Sequence, residues 1–159
     1  MDLFQKKLLF ITGKGGVGKT TVSLMLARSL VLLGKKVLFL EIGQQSSGFH
    51  LAGLDNTPIF EPKSNRLGFD ASLVCGEDCL EEYANHILKV ERLAVLFLKN
   101  KFMQALLPLA PGLDDLAILG KLTSEIRQHG PPWSYDHIVV DCPSTGAFLS
   151  MLQLSLIHI

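Results

Sequence analysis

The stretch Gly13-Lys14-Gly15-Gly16-Val17-Gly18-Lys19-Thr20-Thr21 constrains this chain more than any other. It fits the spacing G-x-x-x-x-G-K-[ST]. It also follows the apolar run Leu8-Leu9-Phe10-Ile11 and precedes a helical pattern from Val22 to Leu33, the strand–turn–helix setting in which such a loop holds phosphate. Glycines at 13, 15, 16 and 18 let the backbone approach an anion with no Cβ in the way. Successive N–H groups then point inward as a nest, reinforced by the positive end of the following helix. The nucleotide-binding set is therefore Gly13, Lys14, Gly15, Gly16, Val17, Gly18, Lys19, Thr20 and Thr21. Lys19 is placed to reach the β- and γ-phosphates, and the Thr20 hydroxyl to ligate the Mg²⁺ that bridges them.

The surrounding pattern predicts an α/β fold. Leu8 to Thr12 reads as a first strand. A helix over 18–33 shows Val22, Met25, Leu26, Leu30 and Leu33 as its sheet-facing residues, with Gly34 as its cap, and Val37-Leu38-Phe39-Leu40 is a second buried strand. Together they form a βαβ unit, which implies a parallel sheet with right-handed crossovers. Residues 56–69 read as a loop, and 77–107 as two helices with a break near Asn100. Asp114 and Asp115 open a further helix that runs through Leu116, Leu119, Leu122 and Ile126 to about His129, where Gly130-Pro131-Pro132 stops it. Tyr135-Asp136-His137-Ile138-Val139-Val140-Asp141 is a third strand that delivers a carboxylate at its end, the Walker B arrangement. Asp141 there is a Mg²⁺ ligand; the structural alternative is a helix cap.

Composition narrows the function classes. The 159 residues carry 15 Lys plus Arg against 15 Asp plus Glu, so no basic footprint points to nucleic acid. Apolar content of 48% suits strands covered on both faces. The start, Met1-Asp2-Leu3-Phe4-Gln5-Lys6-Lys7, has no secretory pattern, and no apolar run is long enough to cross a bilayer, so a cytoplasmic protein is expected. Three cysteines, Cys75, Cys79 and Cys142, are an odd number and are expected to be free thiols.

Lys14, at the second position of the loop, opens a resemblance. Gly-Lys-Gly-Gly-Val-Gly-Lys-Thr-Thr resembles the signature of the deviant Walker A ATPases: septum-site and partition ATPases, arsenite-pump ATPases and tail-anchored-protein insertion ATPases. The segment Ala110-Pro111-Gly112-Leu113-Asp114-Asp115-Leu116 resembles the Pro-Gly segment of the arsenite-pump and tail-anchor branch. Cys142-Pro143-Ser144-Thr145-Gly146 resembles its second switch, with the proline one residue early and Ala147 where that branch has histidine. The resemblance implies a three-layer phosphate-loop fold with a mostly parallel sheet, ATP and Mg²⁺ as cofactors, and ATP hydrolysis. It also implies a homodimer in which Lys14 reaches the partner's nucleotide, and a membrane-protein client or membrane partner. Lys14 is otherwise a solvated loop lysine.

Two departures stand out, with one open cysteine pair between them. The aspartate that activates water in that family is replaced by Gly43. Glu41, two positions earlier, is then the candidate catalytic carboxylate beside Lys14 and Lys19, with Gln44 or Gln45 to orient water; the alternative is that Glu41 caps the strand. Cys75 and Cys79 form either an arsenite-holding thiol pair or two inert cysteines. Family members run on further, with more strands and an adenine loop, so residues 1–159 are expected to be the amino-terminal part of one ATPase domain, with 155–159 departing from the family. A nucleotide-dependent module that does not hydrolyse, and a positioning ATPase of the partition type, are the competing readings.

Overall fold

Strands that read as unbroken apolar runs need cover on both faces; here the runs that start at Val37 and His137 lie inside the sheet and the one at Leu8 takes its edge. The computed structural model describes residues 5–46, 48–53, 60–88, 112–127 and 134–157. In chain order the strands are β1 (Leu8–Gly13), β2 (Val37–Ile42), β3 (Lys63–Ser64), β4 (Asp70–Val74) and β5 (His137–Ser144). The helices are α1 (Lys19–Leu32), α2 (Gly48–Leu51), α3 (Gly76–Leu88), α4 (Leu113–Arg127) and α5 (Thr145–Ile157). The sheet order is β1-β5-β2-β4-β3, parallel except for the antiparallel β3. This is the α/β phosphate-loop fold with its mostly parallel sheet.

The chain divides into two compact units, Met1–Val74 with Tyr135–Leu149, and Cys75–Ser134 with Ser150–Ile159. The first holds the sheet. On one face, Leu24, Ala27 and Leu30 of α1 pack with Leu9, Val37, Phe39, Ala71, Leu73 and Val139, and Phe49 and Phe69 complete the cluster. Phe10, on the opposite side of β1 by strand alternation, meets Phe148 of α5 with ring centroids 5.0 Å apart. Helical residues therefore cover both faces. Arg28 of α1 donates to the Leu67 carbonyl at 2.6 Å, tying the helix to the β3–β4 turn.

Several expectations need correction. The buried face of α1 is Ser23, Leu24, Ala27 and Leu30, whereas Val22 and Met25 are 53% and 66% exposed and Leu33 is exposed too. Two of these, Ser23 and Ala27, are small and fully buried. The region read as a loop contains β3, and β4 was not anticipated. Its polar residues are matched across the fold: Asp70 accepts from Tyr135 at 2.9 Å and from Ser64 at 2.5 Å, and buried Ser72 donates to the Phe60 carbonyl at 2.5 Å. Burial and the Asp70 carboxylate push the Tyr135 phenol up, keeping it a donor. The Walker B strand is fifth in the chain and continues past Asp141 to Ser144. Its register against β1 shifts between Ile11 and Gly13, a bulge that accommodates Pro143. The helix break near Asn100, Pro111 and the stop at Gly130-Pro131-Pro132 lie outside the described residues.

In the second unit α3 packs against α4. Contact is close at Gly76, where a Cβ would stand 2.2 Å from Asp114 Cβ and 2.6 Å from its Cα. Buried Lys121 of α4 and half-buried Glu82 of α3 form an ion pair. Gly76→Ala is expected to destabilise the protein by about 1–3 kcal/mol, since overpacking here meets backbone. Urea unfolding with an unchanged slope and a lower midpoint would register it; wild-type stability would contradict it.

Candidate functional site

The phosphate-loop stretch leaves the C-terminal end of β1 and enters α1. Gly16 and Gly18 take φ of 79° and 87°, left-handed values that a side chain would oppose. A Cβ on either would meet nothing within 4 Å, so backbone hand and not packing requires glycine there. Gly18 is also the N-cap of α1 and provides no side-chain cap, while its carbonyl accepts from Val22 N–H at 3.0 Å. The first-turn N–H groups, those of Lys19, Thr20 and Thr21, have no partner within the helix by its geometry and point toward the loop. Lys14, Gly15, Gly16 and Val17 are exposed, and Lys19 and Thr20 are half-buried. The Lys19 stem runs back along the loop, with Cγ and Cδ 3.6 and 3.7 Å from where a Cβ on Gly13 would stand.

Thr20 and Asp141, 121 residues apart, meet at this loop. The Thr20 hydroxyl donates to Asp141 Oδ2 at 2.5 Å. The Ser23 hydroxyl lies 3.3 Å from Asp141 Oδ1 and 2.9 Å from the Lys19 carbonyl. Ser23 escaped the sequence reading, although its position one turn after Thr20 puts it on the same helix face. Asp141 is 5% exposed. Burial pushes its carboxyl above the usual range, and the Thr20 hydrogen bond opposes this; the Glu41 charge adds to the rise, while Ser23 and Lys19 counter it. A hydroxyl and a carboxylate this close are the hard oxygen donors that Mg²⁺ takes, so the residues present fit that ion. The positive-φ loop at a helix start likewise fits a polyphosphate.

Glu41 is paired in register with Asp141 on the neighbouring strand and is also buried. Its Oε2 accepts from the Ser46 hydroxyl and from Gly48 N–H. At the far side of the loop, Thr12 donates to the Pro143 carbonyl at 3.2 Å and stands 3.5 Å from Thr145 Oγ1, where α5 begins. The Cys142 thiol is buried and pushed up to about 12 by desolvation, which suits a packing residue.

In the second unit, burial raises Cys75, which donates to Asp78 at 3.1 Å, and pushes Cys79 up to about 12. All three cysteines are free, and no cluster of three or more His, Cys, Asp or Glu able to hold a metal occurs among the described residues. No helix among them is long and apolar enough to cross a membrane.

A glycine loop feeding a helix start, with a hydroxyl from that helix bonded to a buried carboxylate on the adjacent parallel strand, defines the phosphate-loop nucleotide-binding class. Within that class the chain belongs to the AAA domain family, whose profile matches residues 5–157, and so to a family of nucleotide-dependent ATPases. A protein assigned as arsenical pump-driving ATPase 2 in Aquifex aeolicus is 33% identical over 156 residues, covering 92% of this chain and 48% of its own length. The sporulation initiation inhibitor protein Soj of Bacillus subtilis is 28% identical over 150 residues, 94% of this chain and 54% of Soj. The arsenical pump-driving ATPase of Escherichia coli is 26% identical over 148 residues, 92% of this chain and 25% of that protein. The chain thus spans about half or less of the length of these curated relatives.

Proposed function

We propose that the intact protein binds ATP with Mg²⁺ and hydrolyses it to ADP and phosphate, and that the cycle opens and closes a homodimer across the nucleotide. The observation that carries this reading is the 2.5 Å bond between Thr20 and Asp141 beside the glycine loop. Loop N–H groups from Gly13 to Thr21 bind the phosphate tail, and the Lys19 ammonium orients its terminal oxygens. Thr20 and Asp141 would hold the metal, which would supply charge neutralisation to the phosphates. The exposed Lys14 supports the dimer: a loop lysine open to solvent is available to a partner's nucleotide. The resemblance extends the proposal to a membrane-protein client or membrane partner.

The test is phosphate release by the intact polypeptide with ATP and Mg²⁺, set beside its elution volume with ATP and with ADP. Metal-dependent release with a nucleotide-dependent shift to dimer is expected. One observation favours a second reading. Gly43 stands where an aspartate is expected, and the nearby Glu41 already accepts from Ser46 and Gly48, as a module that binds without hydrolysing would allow. Tight ATP binding with no release would select that reading.

A further inference from the structure

The segment after β2 is pinned at both ends. Gly43 N–H donates to the carbonyl of Val74, the last residue of β4, at 3.0 Å. Three residues later, the Ser46 hydroxyl donates to Glu41 Oε2. The same oxygen accepts Gly48 N–H at 3.0 Å, while Ser46 Oγ accepts Phe49 N–H at 2.8 Å. Phe49 is fully buried in the core. Gly48 is squeezed into place, since a Cβ there would stand 2.9 Å from Phe39 Cζ and 3.0 Å from Glu41 Oε2. A buried carboxylate is tolerable when donors satisfy it, and here those donors are what fixes the loop.

This arrangement changes what Glu41 can do. A water-activating base must present an accepting oxygen to its proton, whereas one of the two Glu41 carboxylate oxygens, Oε2, is committed to two donors from its own loop. What the anchor presents is the short crest between the pins, Gly43, Gln44 and Gln45, with both glutamines exposed. The crest leaves β2 one strand from Asp141, at the sheet edge where the glycine loop also emerges.

We propose that Ser46 is a positioning residue, acting through Glu41 to hold the Gly43–Gln45 crest at the phosphate end of the site, so that Gln44 or Gln45 orients the attacking water. The inference rests on the hydrolytic reading and assigns Glu41 to positioning within it.

The experiment uses the intact polypeptide with ATP and Mg²⁺. Ser46→Ala and Glu41→Gln are each expected to lower kcat roughly ten- to hundredfold, as misplacement of a water-orienting group does, with KM little changed. The double variant falls no further than the worse single variant, because both remove one anchor. Ser46→Thr, which keeps the hydroxyl, retains most of the activity. The acid limb of the kcat–pH profile survives in Glu41→Gln. Slow exchange of the Gly48 amide in the unsubstituted protein checks the anchor without any variant. Wild-type kcat in Ser46→Ala, additive losses, or disappearance of the acid limb in Glu41→Gln alone would each overturn the proposal. So would a Gly48 amide that exchanges freely. An unsubstituted protein that binds nucleotide but releases no phosphate would overturn the hydrolytic reading itself, and this assignment with it.

Discussion

Lys19→Ala in the intact polypeptide is expected to lose nucleotide retention and, with it, phosphate release. The side chain sits at the first position of α1, with its stem folded back along Gly13 against the loop. A hydrogen bond from a charged donor to phosphate is about twice as strong as a neutral one. Removing a preorganised donor aimed at developing charge costs roughly 10²–10³ in rate, or about 2.7–4 kcal/mol. Backbone N–H groups of the loop remain in the variant, so weak residual binding is the expected floor. The fold is expected to survive, since substitutions outside core and special-backbone positions stay within about 0.5 kcal/mol. Equilibrium titration with a fluorescent ATP analogue, alongside phosphate release, measures both effects. Wild-type affinity in Lys19→Ala would show that the loop does not hold phosphate as described.

The parts of this site that were legible in sequence are those where one residue type answers one physical need. The glycines of the loop, Lys19 and Thr20 could be assigned without a partner in view, and the apolar runs of β1, β2 and β5 announced a parallel sheet. Asp141 stands out in sequence because it ends an apolar run in a chain with such a loop, although a helix cap is an equally ordinary use of an aspartate there. Ser23 does not stand out: its hydroxyl matters only because Asp141 lies 3.3 Å away, 118 residues along the chain. The face of α1 was misread for a related reason. Apolar periodicity selects Val22 and Met25, whereas the fully buried positions include Ser23 and Ala27, and size is invisible to a hydropathy pattern. β4 escaped because Asp70 and Ser72 look like loop residues until Tyr135, Ser64 and Phe60 are seen to satisfy them. Gly43 marks a missing aspartate in the sequence, but the Glu41–Ser46–Gly48 anchor depends on how the chain turns back and has no signature in spacing.

Asp141→Asn separates stability from function. Burial, aided by the Glu41 charge and opposed by Thr20, Ser23 and Lys19, raises the Asp141 carboxyl above its usual value in the folded protein. The folded chain therefore holds this proton more tightly than the unfolded chain does. Its stabilising contribution is fully present below the unfolded value, about 3.9, and is lost as pH rises through the higher folded value. At neutral pH and without a cation, the ionised side chain is a net cost to the fold. Asparagine keeps the shape and an oxygen for the Thr20 hydroxyl while removing the charge. In metal-free buffer at pH 7, Asp141→Asn is expected to melt above the unsubstituted protein, with the gap narrowing as pH falls toward 4. Adding ATP and Mg²⁺ reverses the order. The carboxylate then gains a divalent partner worth several kcal/mol of charge stabilisation, which the carboxamide cannot match. Scanning calorimetry of both intact proteins across pH, with and without magnesium nucleotide, measures the crossing. A variant that melts lower at neutral pH without metal would contradict the burial cost, and one stabilised equally by magnesium nucleotide would remove Asp141 from the metal site.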